Sequence, residues 1–121
     1  MNAKKIILAC LLVVTPMPVL SADMVCHLSL QPGAGGNVFG NGTSSCFGID
    51  FSFGNSTTGS WSIVNITKSI DRVVWTDGCS SGLSCIVNVP AYSIQRGKAY
   101  IHYDDGSIEF VEATMHYETG H

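Results

Sequence analysis

The chain has 121 residues and a formal net charge of −3. That length makes one small domain and excludes Rossmann folds and (β/α)8 barrels, which need far more chain. Lys4 and Lys5 lie in the first segment, and the rest carries four Lys and Arg against nine Asp and Glu, a balance that suits a basic partner and disfavours nucleic acid and anionic membranes.

Lys4 and Lys5 form a positive start, residues 6–14 are an apolar run, and Pro16 and Pro18 break it. Leu20-Ser21-Ala22 then offers a small residue for cleavage after Ala22, and Ser21, with Val19 two positions before it, is the alternative last residue. This is the pattern of a secretory signal. The run is too short for a permanent membrane span, which takes roughly 20 apolar residues. Residues 1–22 are therefore expected to be a signal peptide, and residues 23–121 a single exported domain.

Cys10 leaves with the signal, and Cys26, Cys46, Cys79 and Cys85 remain. An even number in a short exported chain reads as two disulfides. Four cysteines allow three pairings, and the local closures Cys26–Cys46 and Cys79–Cys85 are expected, each stabilising by roughly 2–4 kcal/mol. A metal site has little support, because no C-x-x-C pair exists and the histidines do not sit at finger spacing.

Helical periodicity is nearly absent, whereas strand signals recur about every ten residues. Residues 32–45, rich in glycine, stand apart between Cys26 and Cys46. Next, residues 46–53 alternate, with Phe47, Ile49, Phe51 and Phe53 on one face and Gly48, Asp50 and Ser52 on the other. The aromatic face is expected to supply core. Trp61 and Ile63 continue the alternation on the next run. Residues 70–75 and 84–89 are further β-branched runs, and Pro90 ends the latter. Between them residues 77–85 form a polar loop pinched by the expected Cys79–Cys85 bridge. The final hairpin joins residues 98–103 to 107–115 through Asp104-Asp105-Gly106, the turn chemistry a tight hairpin requires. Ala99, Ile101 and Tyr103 share its inner face. The fold class is all-β, a small antiparallel β-sandwich, immunoglobulin-like, or a barrel, with two disulfides.

Motifs that carry chemistry are missing. Val38 stands where a dinucleotide fingerprint needs its third glycine, and there is no G-x-S-x-G, H-E-x-x-H or EF-hand pattern. His27, His102, His116 and His121 have Asp104 and Glu118 as neighbouring carboxylates, and exposed strand or tail histidines account for them. Asp104 and Asp105 have a turn role rather than that of a glycosidase pair. Trp61 and Trp75 are expected in the core rather than stacked on sugars. No enzyme activity, cofactor or metal is expected.

The stretch from Gly59-Ser60-Trp61-Ser62 through Trp75-Thr76-Asp77-Gly78-Cys79 to Cys85-Ile86-Val87 and Tyr103-Asp104-Asp105-Gly106-Ser107 resembles bacterial immunoglobulin-like domains. In size, signal and cysteine number the whole chain resembles small periplasmic immunity proteins, most of all those guarding vibrios against the muramidase domain of a type VI secretion spike protein. The resemblance implies a periplasmic protein that binds a peptidoglycan hydrolase effector and occludes its cleft. The favoured contact is the loop 77–84, with Asp77, Ser80, Ser81 and Ser84 as polar contacts and Leu83 filling an apolar subsite. The turn holding Asp104 and Asp105, and the tail 116–121, are second candidates. The alternatives are a surface-fibre subunit and a carbohydrate-binding module. An open edge strand would also let two copies pair as a homodimer.

Overall fold

The computed structural model describes residues 21–76 and 78–120. Residues 1–20 of the expected signal, Asp77 and His121 lie outside them. Eight strands follow in chain order: β1 (Asp23–Ser29), β2 (Asn37–Phe39), β3 (Ser45–Asp50), β4 (Ser56–Val64), β5 (Ile70–Trp75), β6 (Ser84–Pro90), β7 (Ile94–Tyr103) and β8 (Ile108–Thr119). They form a three-stranded sheet, β1-β4-β6, and a five-stranded sheet, β2-β3-β8-β7-β5. Every ladder is antiparallel except that of β3 with β8.

The architecture is the expected sandwich. With β4, β5, β6, β7 and β8 as strands B, C, E, F and G, one sheet sets B beside E and the other runs G-F-C, the immunoglobulin arrangement without strand D.

Period-two alternation builds the core between the sheets. The small sheet contributes Met24, Cys26, Leu28, Trp61, Ile63 and Val89; the large one contributes Trp75, Ala99, Ile101, Val111, Ala113, Met115 and Tyr117. Burying each large side chain is worth roughly 1.5–3 kcal/mol. Both tryptophans are core residues, as expected. The bulk of Trp61 is matched by Gly97 opposite it, where an added Cβ would lie 2.5 Å from the indole Cδ2.

The Cys26–Cys46 and Cys79–Cys85 bridges form as expected, with Cα–Cα separations of 6.0 and 5.7 Å. Cys26 lies in β1 and Cys46 in β3, so the first bridge ties the two sheets together. It also fixes which way β3 faces, and here the sequence expectation is reversed. Cys46, Gly48 and Asp50 point inward and are buried, while Phe47 and Ile49 point outward. Phe51 and Phe53 lie beyond the end of β3 and are exposed. The inward Cys46 sets the register for the whole strand, because side chains alternate strictly. Gly48 leaves the room that Leu28 fills, since a Cβ there would come within 2.5 Å of the Leu28 Cδ2.

Two strands escaped the sequence reading. β1 pairs with β4 over its full length. β2 arises inside the glycine-rich stretch and adds an edge to β3. The chain then turns at Gly40, whose φ of +85° and close approach to the Ser45 carbonyl exclude a side chain. The β7–β8 hairpin turns as expected through Asp104-Asp105-Gly106, with Gly106 at φ +88°. Its strands run longer than expected, from Ile94 and to Thr119.

Candidate functional site

The loop joining β5 to β6 is held at several points. Thr76 N–H donates to the Lys98 carbonyl at 3.0 Å where the loop leaves β5, and Ile63 N–H donates to the Leu83 carbonyl at 2.8 Å just before β6. Between these ends the Trp75 indole N–H donates to the Gly82 carbonyl at 2.9 Å. The Cys79–Cys85 bridge closes the base. Ser80, Ser81, Leu83 and Ser84 are all exposed, Leu83 to 45%. Asp77, the remaining loop residue singled out from sequence, lies outside the described residues.

The second candidate adjoins the first. Ser81, Gly82 and Leu83 form one wall of a depression of about 400 Å³ whose other wall is residues 70–73 of β5. The segment leading into β5 holds the Asp104 turn. Asp104 N–H donates to the Ser69 carbonyl at 2.9 Å, and Ser69 Oγ donates to the Asp104 carboxylate at 2.5 Å. Lys68 Nζ reaches Asp105 at 3.1 Å and lies 4.5 Å from the centre of the Tyr103 ring. Hydrogen bonds from the Ser107 side chain and backbone, with Lys68 adding to them, pull the Asp105 carboxyl down to about 2. The sequence offered Asp104 and Asp105 as partner-facing acids, and the structure gives each an internal partner as well. Loop and turn form one surface along residues 68–73, apolar at Ile70, Val73 and Leu83 and polar around them.

Elsewhere, His116 Nε2 meets the Glu118 carboxylate at 2.9 Å, one of the carboxylate–imidazole pairs open to the sequence. Asp104 bonds Ser69 rather than His102. Among the described residues no group of three or more His, Cys, Asp or Glu converges as a metal site. A larger depression of about 580 Å³ lies where residues 94–98 of β7 extend past the last β5 pairing, with Ile86, Ile94, Arg96 and Lys98 among its lining.

Sequence reasoning missed a buried polar centre at the opposite end of the sandwich. Asp50 is fully buried. Its Oδ2 accepts from the Tyr117 hydroxyl at 2.7 Å and Gln31 N–H at 3.0 Å. Oδ1 accepts from Ser52 Oγ at 2.7 Å and Ser52 N–H at 3.0 Å. Burial pushes the carboxyl pKa up, but these hydrogen bonds together outweigh it and bring it down to about 2. The same burial, with the Asp50 charge adding to it, pushes the Tyr117 hydroxyl up. Nearby, the Tyr92 hydroxyl donates to the Thr119 carbonyl at 2.5 Å. No signal in the sequence marks Asp50, because its partners are Gln31, Ser52 and Tyr117, two of them far away in the chain. At the other end Tyr103 is pushed up to about 12 by burial and by its 2.6 Å hydrogen bond to Glu109.

No protein-family model matches the chain, and neither a curated protein nor a solved structure does.

Proposed function

We propose that this chain is an exported immunity or inhibitor protein that occludes the cleft of a peptidoglycan-cleaving hydrolase. It acts in the periplasm, on an effector of the type VI secretion muramidase kind. The observation that carries the reading is the pinned loop: a disulfide and three hydrogen bonds hold residues 78–84 in one shape while Ser80, Ser81 and Leu83 remain exposed. A preformed loop loses little conformational freedom on binding, so its contacts convert more fully into affinity. Serine hydroxyls there replace sugar hydroxyls in the hydrolase subsites, and Leu83 fills an apolar one. The acidic surface speeds encounter with a basic enzyme.

The test uses the oxidised exported protein against a panel of peptidoglycan hydrolases, with loss of cell-wall turbidity as the readout. Stoichiometric inhibition of one hydrolase is the expected result. A folded, disulfide-bonded protein that inhibits none of them overturns the reading and favours a fibre subunit, whose assembly would use the open edges of β5 and β6. Glycan stacking on tryptophan has little structural support, because Trp61 and Trp75 are buried.

A further inference from the structure

The outward face of the five-stranded sheet is unusual for a surface. Phe39 and Ile108 are each 57% exposed there, and Ile94, Tyr100 and Phe110 are exposed as well. The ladders arrange them in bands across the strands. Phe39, Phe47, His116 and Ile94 pair in one row across β2, β3, β8 and β7. Phe110, Tyr100 and Val74 pair in another across β8, β7 and β5, with the Tyr100 and Phe110 ring centres 5.1 Å apart. Between these apolar bands lie two polar rows, Arg96 opposite Thr114 and Lys98 opposite Glu112.

The geometry points to a second copy of this chain as the occupant of that face, joined about a two-fold axis that runs parallel to the strands between β7 and β8. Such an axis places β7 of one copy over β8 of the other at the same height along the strands. Each cross-strand pair then becomes a contact between copies. Lys98 meets the second copy's Glu112, Tyr100 meets its Phe110, and Ile94 meets its His116. An isologous interface needs a surface that is complementary to itself, and the β7–β8 register supplies opposite charges in the middle and apolar rows on both sides. The two-fold overlaps β7 and β8 of each copy, because β2 and β3 flank β8 only near His116 and β5 flanks β7 only near Tyr100. The shared strip is about 30 Å long and about 10 Å wide. Two such strips bury an area at the low end of the range for specific interfaces, so the dimer forms in a concentration-dependent way. Gly78 borders the face, but Ser81 and Leu83 line the separate depression against residues 70–73, so the inference stands apart from the proposed function.

Sedimentation equilibrium of the exported protein, from micromolar to submillimolar concentration, tests it. The expected mass rises with concentration toward twice that of one chain. Phe110→Lys and Tyr100→Glu, both at exposed positions, should each give a folded monomer by far-UV circular dichroism. Lys98→Glu should weaken the dimer, and adding Glu112→Lys should restore it. His27→Glu, at an exposed position on β1 in the three-stranded sheet, should leave it intact. A single-chain mass at every concentration, a dimer that survives Phe110→Lys and Tyr100→Glu, or a dimer lost in His27→Glu overturns the inference.

A separate observation bears on processing. Ala22 is buried, and its backbone nitrogen donates to Glu109 Oε2 at 3.0 Å, while Oε1 takes the Tyr103 hydroxyl at 2.6 Å. We infer, on the reading of the first segment as an export signal, that water cleaves the Ser21–Ala22 bond. Ser21 leaves with a new carboxylate, and Ala22 becomes the mature N-terminus. The freed α-ammonium then forms an ion pair with Glu109. Cleavage there also leaves Val19, smaller than Leu20, three places before the cut. The intact mass of the exported protein decides it. A mass for residues 22–121 is expected, and one starting at Asp23 overturns the assignment. An uncut chain of 12.9 kDa overturns the export reading itself.

Discussion

Replacing Asp50 with Asn tests the buried polar centre at nearly constant volume. Each carboxylate oxygen accepts two hydrogen bonds, Oδ1 from the Ser52 hydroxyl and N–H, Oδ2 from Gln31 N–H and the Tyr117 hydroxyl. An asparagine amide has one oxygen. Whichever way it is turned, its NH2 faces two donors and both of their hydrogen bonds to residue 50 are lost. Each orphaned buried donor costs about 1–3 kcal/mol, less where a hydroxyl can rotate away, so Asp50→Asn should cost about 3 kcal/mol. For a domain of this size that is a fall in melting temperature of about 10–20 °C. The loss should depend on pH. The folded-state pKa of about 2 lies below the ordinary value of 3.8 for an aspartate. The unfolded chain therefore binds the proton first, and the carboxylate's contribution is complete above about pH 5. It is lost as the pH falls toward 2, and it amounts to at most about 2 kcal/mol. Urea unfolding at pH 7, 4 and 2.5, followed by tryptophan fluorescence, measures the gap between wild type and variant. The gap should be widest at pH 7 and narrow steadily below about pH 5. A gap under about 0.5 kcal/mol at pH 7, or one that is the same at pH 7 and 2.5, would refute the reasoning.

The remaining predictions concern packing and cross-linking. Gly97→Ala places a Cβ 2.5–2.9 Å from three indole carbons of Trp61, so it should cost about 1–3 kcal/mol by overpacking. Adding Trp61→Phe shrinks the ring that faces the new methyl, and chemical denaturation should show the double variant losing less than the sum of the singles. Removing the Cys26–Cys46 bridge by Cys26→Ala and Cys46→Ala should cost about 3 kcal/mol. The same substitutions at Cys79 and Cys85 should cost less global stability but increase amide exchange in residues 78–84, because that bridge closes a shorter loop, with a separation of 6 rather than 20 residues.

The all-β class, both disulfides, the β7–β8 turn and the burial of Trp61 and Trp75 follow from local signals: alternation, cysteine spacing and Asp-Gly chemistry. The facing of β3 was not legible, because the aromatic alternation of Phe47, Ile49, Phe51 and Phe53 pointed one way and the long-range bridge from Cys46 to β1 imposed the other. Core-forming alternation and an apolar outer face look alike in one dimension, and only the partner strand distinguishes them. β1 was missed because His27 and the polar flanks dilute its pattern, and β2 because Gly36 and Gly40 bracket only three residues. Of the candidate surface, the loop and turn were each visible as disulfide spacing and turn residues. Their contact along residues 68–73 was not, since it depends on how β5 folds back beside the loop. The Asp50 centre is a tertiary feature, assembled from Gln31, Ser52 and Tyr117.

The central claim is that the pinned loop does the occluding, and the most direct measurement is inhibition by a loop variant. Ser81→Arg with Leu83→Glu changes two exposed side chains and leaves Cys79, Cys85 and the backbone bonds of Gly82 and Leu83 in place. Against the hydrolase that wild type inhibits, the double variant, shown folded by its circular dichroism and melting temperature, should leave cell-wall lysis unimpeded. A folded double variant that inhibits as well as wild type would contradict the account and move the contact away from this loop.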